Sequence, residues 1–254
     1  MCILTILYKS VRNVPILVAQ NREEFTDRPT QAPRIQSGKP RAVCGIDRKA
    51  GGTWLGVNQH GMFAAVANRP KTAVPSEPRS RGLLCRELLT MRNVDAAVAH
   101  ATRELATGAY DGANYIVADA NRGVVIYGGN QFEVVELESG LYLMTNGNLN
   151  DHNDQRQEFI RRQLTLQKLD SSVTFLAVAS RAFSRKPDAS GRRGVVITGA
   201  DYGTVSSTLL SLSDKTQNAI YQYCSGPPCD NTFDDCSALL RQVLSTDKDR
   251  SKKQ

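Results

Sequence analysis

CILTILYKSVRNVPILVAQNREEF, residues 2–25, reads as two apolar strands joined by a polar turn and followed by a polar corner. CILTILY and VPILVAQ are rich in aliphatic and β-branched residues and are punctuated by turn-forming ones, which is strand composition. If the second strand returns antiparallel to the first, the segment after Gln20 comes back beside residue 2. Asn21, Arg22, Glu23 and Glu24 then gather around Cys2, where an arginine would lower the thiol pKa and a carboxylate would orient it. A solvated charged turn is the plain alternative.

Working outward, NREEFTDRP reads as a corner, and the stretch after it as a loop rich in Pro and Gly. GGTWLGVNQHGMFAAVANRP is a hairpin, with TWLGV and MFAAVAN flanking the glycine-ended turn NQHG. Four strands are thus expected before any helix. In SRGLLCRELLTMRNVDAAVAHATREL the period changes: Leu83, Leu84, Leu88 and Leu89 fall at helical spacing. Asn93 can cap a second helix that carries Val94, Ala97 and Val98 on one face. ANYIVADA, GVVIYGG, QFEVVEL and GLYLMTNG read as four more strands. Residues 151–186 return to helix in two pieces divided near LDSS. GVVITG, TVSSTLLSLS and NAIYQYC are read as the closing strands, before the amphipathic piece DDCSALLRQVL. Strands in two batches, with helices between and after them, argue against a parallel doubly wound sheet and for an α+β fold of two mainly antiparallel sheets with helices outside.

The 254 residues, 41% of them hydrophobic, suit one large domain, read as residues 1–245, with a basic, disordered tail at 246–254. The net charge of +7, from 32 Lys and Arg against 25 Asp and Glu, is concentrated in loop-like stretches such as SRAFSRKPDASGRRG and in the tail DKDRSKKQ. It lacks interleaved aromatics, which speaks against nucleic acid and leaves an acidic small molecule possible. No apolar stretch reaches the ~18 residues of a membrane span, and CILTILY lacks the basic flank and cleavage site of a signal peptide. A cytoplasmic location is expected, with reduced thiols. The cysteines number six. Cys224, Cys229 and Cys236 lack zinc-knuckle spacing, and no metal is expected.

Cys2 follows Met1 directly. Were Met1 removed, one residue would carry both a thiol, with a pKa near ~8.5, and an α-amine, near ~7.7–8.0, placing a general base beside a nucleophile. The histidines His60, His100 and His152 fall in unrelated contexts, and neither a Gly-x-Ser-x-Gly elbow nor a phosphate loop is present. Asn68 and Asn146 each close an apolar strand, where a side-chain amide can donate to an oxyanion or simply form a turn.

Taken together, MCILTILY, LVAQNREEFTDRP, AGGTWLGVNQHGMFAAVANRP, LMTNGNL and DYGTVSST resemble the transport and Golgi organisation protein 2, or NRDE, family from end to end. The resemblance implies a four-layer αββα sandwich of the amino-terminal nucleophile (Ntn) hydrolase kind. It also implies kinship with the penicillin V acylase and bile salt hydrolase group, cysteine enzymes that cleave amides. On that basis Cys2 is the nucleophile, Asn146 and Asn68 lie by the oxyanion, and Arg22 and Glu24 are the charged pair, with Asn21 and Glu23 supporting. An alternative alignment puts Asn21 and Glu24 in the matching places. The chain departs from the hallmark at Glu23, usually Asp, and at Val205, usually Arg, which removes a cation that could have bound an acidic substrate or leaving group. The expected activity is hydrolysis of a linear amide of a small-molecule substrate, with no cofactor required. The alternative is a non-catalytic haem, acyl-CoA or lipid binding or trafficking role, in which haem would be the cofactor.

Overall fold

The computed structural model describes residues 2–190 and 193–251, with side chains to 245. Met1, residues 191 and 192, and residues 252–254 lie outside that description. The chain forms two compact units, Met1–Arg28 with Ser139–Ser237, and Pro29–Glu138 with Ala238–Gln254.

In the first unit, β1 (Cys2–Val11) and β2 (Val14–Phe25) form the expected antiparallel hairpin. Asn13 turns its tip in the left-handed region, at φ 61. The sheet has the order β10-β1-β2-β11-β12-β13, with β10 (Gly140–Met144), β11 (Tyr202–Leu212), β12 (Ile220–Ser225) and β13 (Asp234–Asp235). Two helices, α3 (Gln155–Thr165) and α4 (Ser172–Phe183), cover one face. Ile3, Leu7, Leu17, Ala19, Leu143 and Leu209 from the strands pack there against Ile160, Leu164, Phe175, Ala179 and Phe183. Each fully buried aliphatic or aromatic side chain in such a contact contributes roughly 1.5–3 kcal/mol. On the other face, Leu4, Ile6, Ile16 and Val18 are also fully buried. Both faces of β1 and β2 therefore exclude water, and the sequence reads as continuous apolar runs rather than as alternation.

The polar corner expected at NREEF is instead strand. β2 runs through it to Phe25, and Asn21, Arg22 and Glu23 are buried. The reason is that β2 is central: β1 pairs with it on one side and β11 on the other as far as Phe25, so its backbone groups are satisfied without solvent.

The second unit is an antiparallel meander in chain order: β3 (Thr30–Gln36), β4 (Ala42–Asp47), β5 (Leu55–Asn58), β6 (Phe63–Asn68), β7 (Ala113–Ala118), β8 (Gly123–Gly128) and β9 (Phe132–Glu136). The β5–β6 hairpin has the expected turn. Gly61 adopts φ 78, while Asn58 Oδ1 accepts from the N–H groups of His60 and Met62. Among the described residues, six strands, not four, precede the first helix. β3 and β4 were hidden in the loop-like stretch because β3 is an edge strand carrying Pro33 at an irregularity between Gln31 and Arg34, where a missing N–H leaves no ladder bond to lose. Helices α1 (Arg81–Leu88), capped by Ser80, and α2 (Val94–Ala106), capped by Asn93 as expected, pack Leu84, Leu88, Val94, Ala97 and Ala101 against Cys44, Ala64, Tyr115 and Val124.

GVVITG is not a strand. Val195 and Val196 are buried, and both donate their N–H to the Arg185 carbonyl beyond α4. The apolar run reflects packing onto the end of a helix rather than entry into a ladder. The last helix, α5 (Ser237–Ser251), extends into the expected tail as far as residue 251. No helix among the described residues is long and apolar enough to cross a membrane.

Candidate active site

The β1–β2 register sets Cys2 opposite Arg22, Ile3 opposite Asn21 and Leu4 opposite Gln20. Directly opposed residues share a face and successive residues alternate. Cys2, Arg22, Gln20 and Glu24 therefore leave the face turned away from α3 and α4, while Asn21 and Glu23 leave the face turned toward them. One short polar motif serves two different environments.

On the Cys2 face, the Arg22 guanidinium lies 3.7 Å from Glu24 Oε2, which also stands 3.7 Å from Arg28 Nε. The other Glu24 oxygen accepts the Phe25 N–H at 2.9 Å. Arg22 is nearly dry, with a side chain 5% exposed, whereas Glu24 is 23% exposed. The carboxylate thus holds a desolvated guanidinium from the wetter end. Cys2 is itself buried, and burial pushes its thiol pKa up, with the negative charge of Glu23 adding to that. A backbone hydrogen bond from Glu23 and the charge of Arg22 pull the other way.

Behind this, on the helix face, Glu23 pairs with Arg156 of α3 through both carboxylate oxygens, and Arg156 also donates to the Val195 carbonyl at 2.9 Å. Burial raises the Glu23 pKa, and the guanidinium opposes it. Asn21 Nδ2 donates to the Phe183 carbonyl at 2.9 Å, satisfying a helix-end group that has no partner within α4. These two contacts pin the helices to the strand that carries Arg22. Tyr202, from the YGT segment, donates its hydroxyl to the Glu23 carbonyl at 3.1 Å and meets Phe25 edge to face at 5.4 Å.

Asn146 stands two residues beyond Met144, whose partner Leu4 is two residues beyond Cys2, so it lies at the same end of the sheet as the thiol. Its Oδ1 is buried with no partner among the described residues. The loop after it is fixed by a dense set of bonds. Thr145 Oγ1 donates to Asp154 Oδ2 at 2.5 Å, Gln157 Nε2 donates to Thr145 Oγ1 at 2.9 Å, and Asn150 Oδ1 accepts the Leu143 N–H at 3.0 Å. The β2–β11 ladder skips a residue at Val205, between Thr204 opposite Glu23 and Ser206 opposite Arg22. The Val205 carbonyl accepts from Gly226 at 2.9 Å. Asn68 belongs to the second unit, where it ends β6 opposite Ala113.

The structure therefore places Cys2, Arg22 and Glu24 on one face, Asn146 at the same sheet end, and Asn21 and Glu23 on the opposite face. Sequence reasoning did not find Arg156, since nothing local marks a residue 133 positions from its partner. Nor did it single out Gln20, although a lone amide ending the buried run VPILVAQ was a visible signal. Among the described residues, no group of three or more His, Cys, Asp or Glu could hold a metal ion.

The sequence profile of the family described as Transport and Golgi organisation 2 matches residues 1–222. A transport and Golgi organization protein 2 homolog of Bos taurus is 30% identical over 227 residues, covering 77% of this chain and 81% of its own. The Homo sapiens homolog is 30% identical over 165 residues, 62% of this chain and 59% of its own. Among solved structures, a mutant conjugated bile acid hydrolase from Clostridium perfringens superposes with a TM-score of 0.55 at 11% identity, covering 94% of this chain and 93% of that one. An N-acylethanolamine-hydrolyzing acid amidase ortholog from Caenorhabditis elegans gives 0.53 at 14% identity, covering 83% and 92%. At such identities the likeness shows the fold alone: α+β, with two antiparallel sheets and flanking helices, of the kind these hydrolases share.

Proposed function

Because the chain belongs to the Transport and Golgi organisation 2 family and shares its fold with amide-cleaving enzymes, we propose that it is an amidohydrolase with Cys2 as nucleophile. The observation that carries this reading is the register that sets Cys2 opposite a buried arginine held by Glu24. A buried thiol with a raised pKa is a poor nucleophile by itself. It becomes a good one when the α-amine of the same residue is free to take its proton, which requires Met1 to be gone.

In the proposed cycle, Cys2 Sγ attacks the amide carbonyl and its proton passes to the α-amine. The tetrahedral oxyanion accepts a hydrogen bond from the Asn146 amide. The α-ammonium returns the proton to the leaving nitrogen as the C–N bond breaks, leaving a thioester on Cys2. Water, deprotonated by the amine, then attacks the thioester and regenerates the thiol. Arg22 supplies positive potential beside the sulfur throughout, and Glu24 fixes its direction. The part assigned to Asn68 rests on the family resemblance alone.

The test is hydrolysis of a panel of amides by protein whose intact mass shows Met1 removed, against the Cys2→Ala variant and against protein that retains Met1. Turnover that requires both Cys2 and a free amino terminus supports the reading. Equal turnover by Cys2→Ala would falsify it. Tight binding of haem or acyl-CoA without turnover would favour a carrier instead.

A further inference from the structure

Gln20 is 1% exposed, and neither Nε2 nor Oε1 has a hydrogen-bond partner among the described residues. A buried primary amide with both its donor and its acceptor idle is uncommon, because desolvation is not offset. Its position gives the idle amide a purpose. Gln20 is two residues before Arg22 on β2, so it leaves the Cys2 face, and its opposed residue Leu4 is two beyond Cys2. A diagonal neighbour of this kind has its Cα roughly 7–8 Å away, within reach of a long side chain. Along the same face the row continues with Leu4, Ile6, Val18 and Ile16, all fully buried and apolar. Nothing on that row can bond the amide, and Thr208 of β11, buried and directly opposed to Gln20 on its other side, makes no hydrogen bond to it.

We infer that Gln20 reads the substrate, and that the substrate is peptide-like: beside the scissile amide it carries an aminoacyl unit that offers an N–H and a C=O on one edge. This rests on the amidohydrolase reading of Cys2. The chemistry selects the class. An ester or a carboxylate offers acceptors only and would leave Oε1 idle. A plain alkyl chain would leave both atoms idle. A residue of extended peptide presents its own N–H and C=O on the same side, so one glutamine amide can accept from the first and donate to the second. Sites built to hydrogen-bond a substrate discriminate strongly against analogues that lack the group, because the protein atoms are then left buried and unpaired.

The experiment compares acetyl-glycyl-glycine p-nitroanilide with a straight-chain acyl p-nitroanilide of equal length, for wild type, Gln20→Met and Gln20→Leu. In parallel, acetyl-glycyl-glycinamide and hexanamide are compared as protectants of Cys2 against alkylation, which needs no turnover. Wild type is expected to prefer the glycyl substrate by ~10²-fold in kcat/KM, and to be protected by the glycyl ligand and not by hexanamide. Both variants should lose that preference, chiefly through KM, with kcat/KM for the straight-chain substrate raised. Thermal melting of the variants, expected at or above the wild-type temperature, confirms that they fold. Absence of preference in wild type, or its survival in both variants, overturns the assignment of Gln20. If Cys2→Ala still hydrolyses either anilide, the reading of Cys2 fails; in that case, or if neither anilide is hydrolysed, the protection assay alone decides Gln20.

Discussion

Cys2 and Arg22 are directly opposed across β1 and β2, so thiol and guanidinium leave the same face of the sheet at the same level. The guanidinium favours the thiolate in a place where burial disfavours it. Arg22→Leu should therefore move the pH midpoint of Cys2 alkylation upward, while Arg22→Lys should move it less. Labelling rates from pH 6 to 11, read by mass spectrometry at Cys2, give the answer. A midpoint indifferent to both variants would mean that the thiol does not sense residue 22.

Glu23 and Arg156 form the buried ion pair behind the site. Arg156→Met strands a carboxylate whose side chain is 0% exposed, and should cost about 3–5 kcal/mol at pH 7. The sign with pH follows from the raised Glu23 pKa. The folded state holds this proton more tightly than the unfolded state, so the contribution is fully present below the ordinary carboxylate range and is lost as pH rises through the folded pKa. Removing the guanidinium raises that pKa further, so the penalty of Arg156→Met should shrink toward pH 4. Urea midpoints at pH 4 and 7 test this, and the double variant Glu23→Gln with Arg156→Met should recover part of the loss at pH 7.

Burial pushes the Cys44 thiol up to about 11 from its ordinary 9.0. The unfolded chain releases this proton first, so the contribution is fully present below pH 9 and is lost as pH rises through 11. The shift of two units implies a loss of about 2 kcal/mol by pH 10.5. Cys44→Ala will be the less stable protein at pH 8, since it leaves a cavity in the second unit. The gap between variant and wild type should narrow by about 2 kcal/mol at pH 10.5, measured by denaturant titration at the two pH values. A constant gap would show that Cys44 does not retain its proton.

In the GGTWLG stretch, a Cβ on Gly52 would fall 2.2 Å from the Gly82 carbonyl carbon and 2.5 Å from the Leu83 nitrogen. Thr53 donates its N–H to the Gly82 carbonyl at 2.9 Å across the same approach. Gly52→Ala must push the first turn of α1 off the sheet. It should cost about 3 kcal/mol and speed hydrogen exchange in α1 ahead of α2. Equal exchange in both helices, with unchanged stability, would show that the close approach is not needed.

Local patterns carried much of this architecture. The Asn93 cap, the Asn58–Gly61 turn and the two-part helical region after residue 151 each depend on groups a few positions apart, so composition and spacing are enough to reveal them. β3 escaped because Pro33 and exposure made an edge strand look like a loop, and GVVITG misled because an apolar run reports burial and not a hydrogen-bond partner. The clustering of Arg22 and Glu24 beside Cys2 followed from the antiparallel return of one hairpin, which the sequence implies.

What the chain alone determined was therefore the α+β class, the hairpin and the proximity of NREEF to residue 2, all consequences of short-range periodicity. Only the tertiary structure decided that NREEF is strand rather than turn. It was also what sent Asn21 and Glu23 to the helices while Arg22 and Glu24 stayed with the thiol, paired Glu23 with Arg156, and left Gln20 buried without a partner among the described residues. The physical reason is that burial and ion pairing depend on elements more than a hundred residues apart in the chain, so no window of sequence contains both members of the contact.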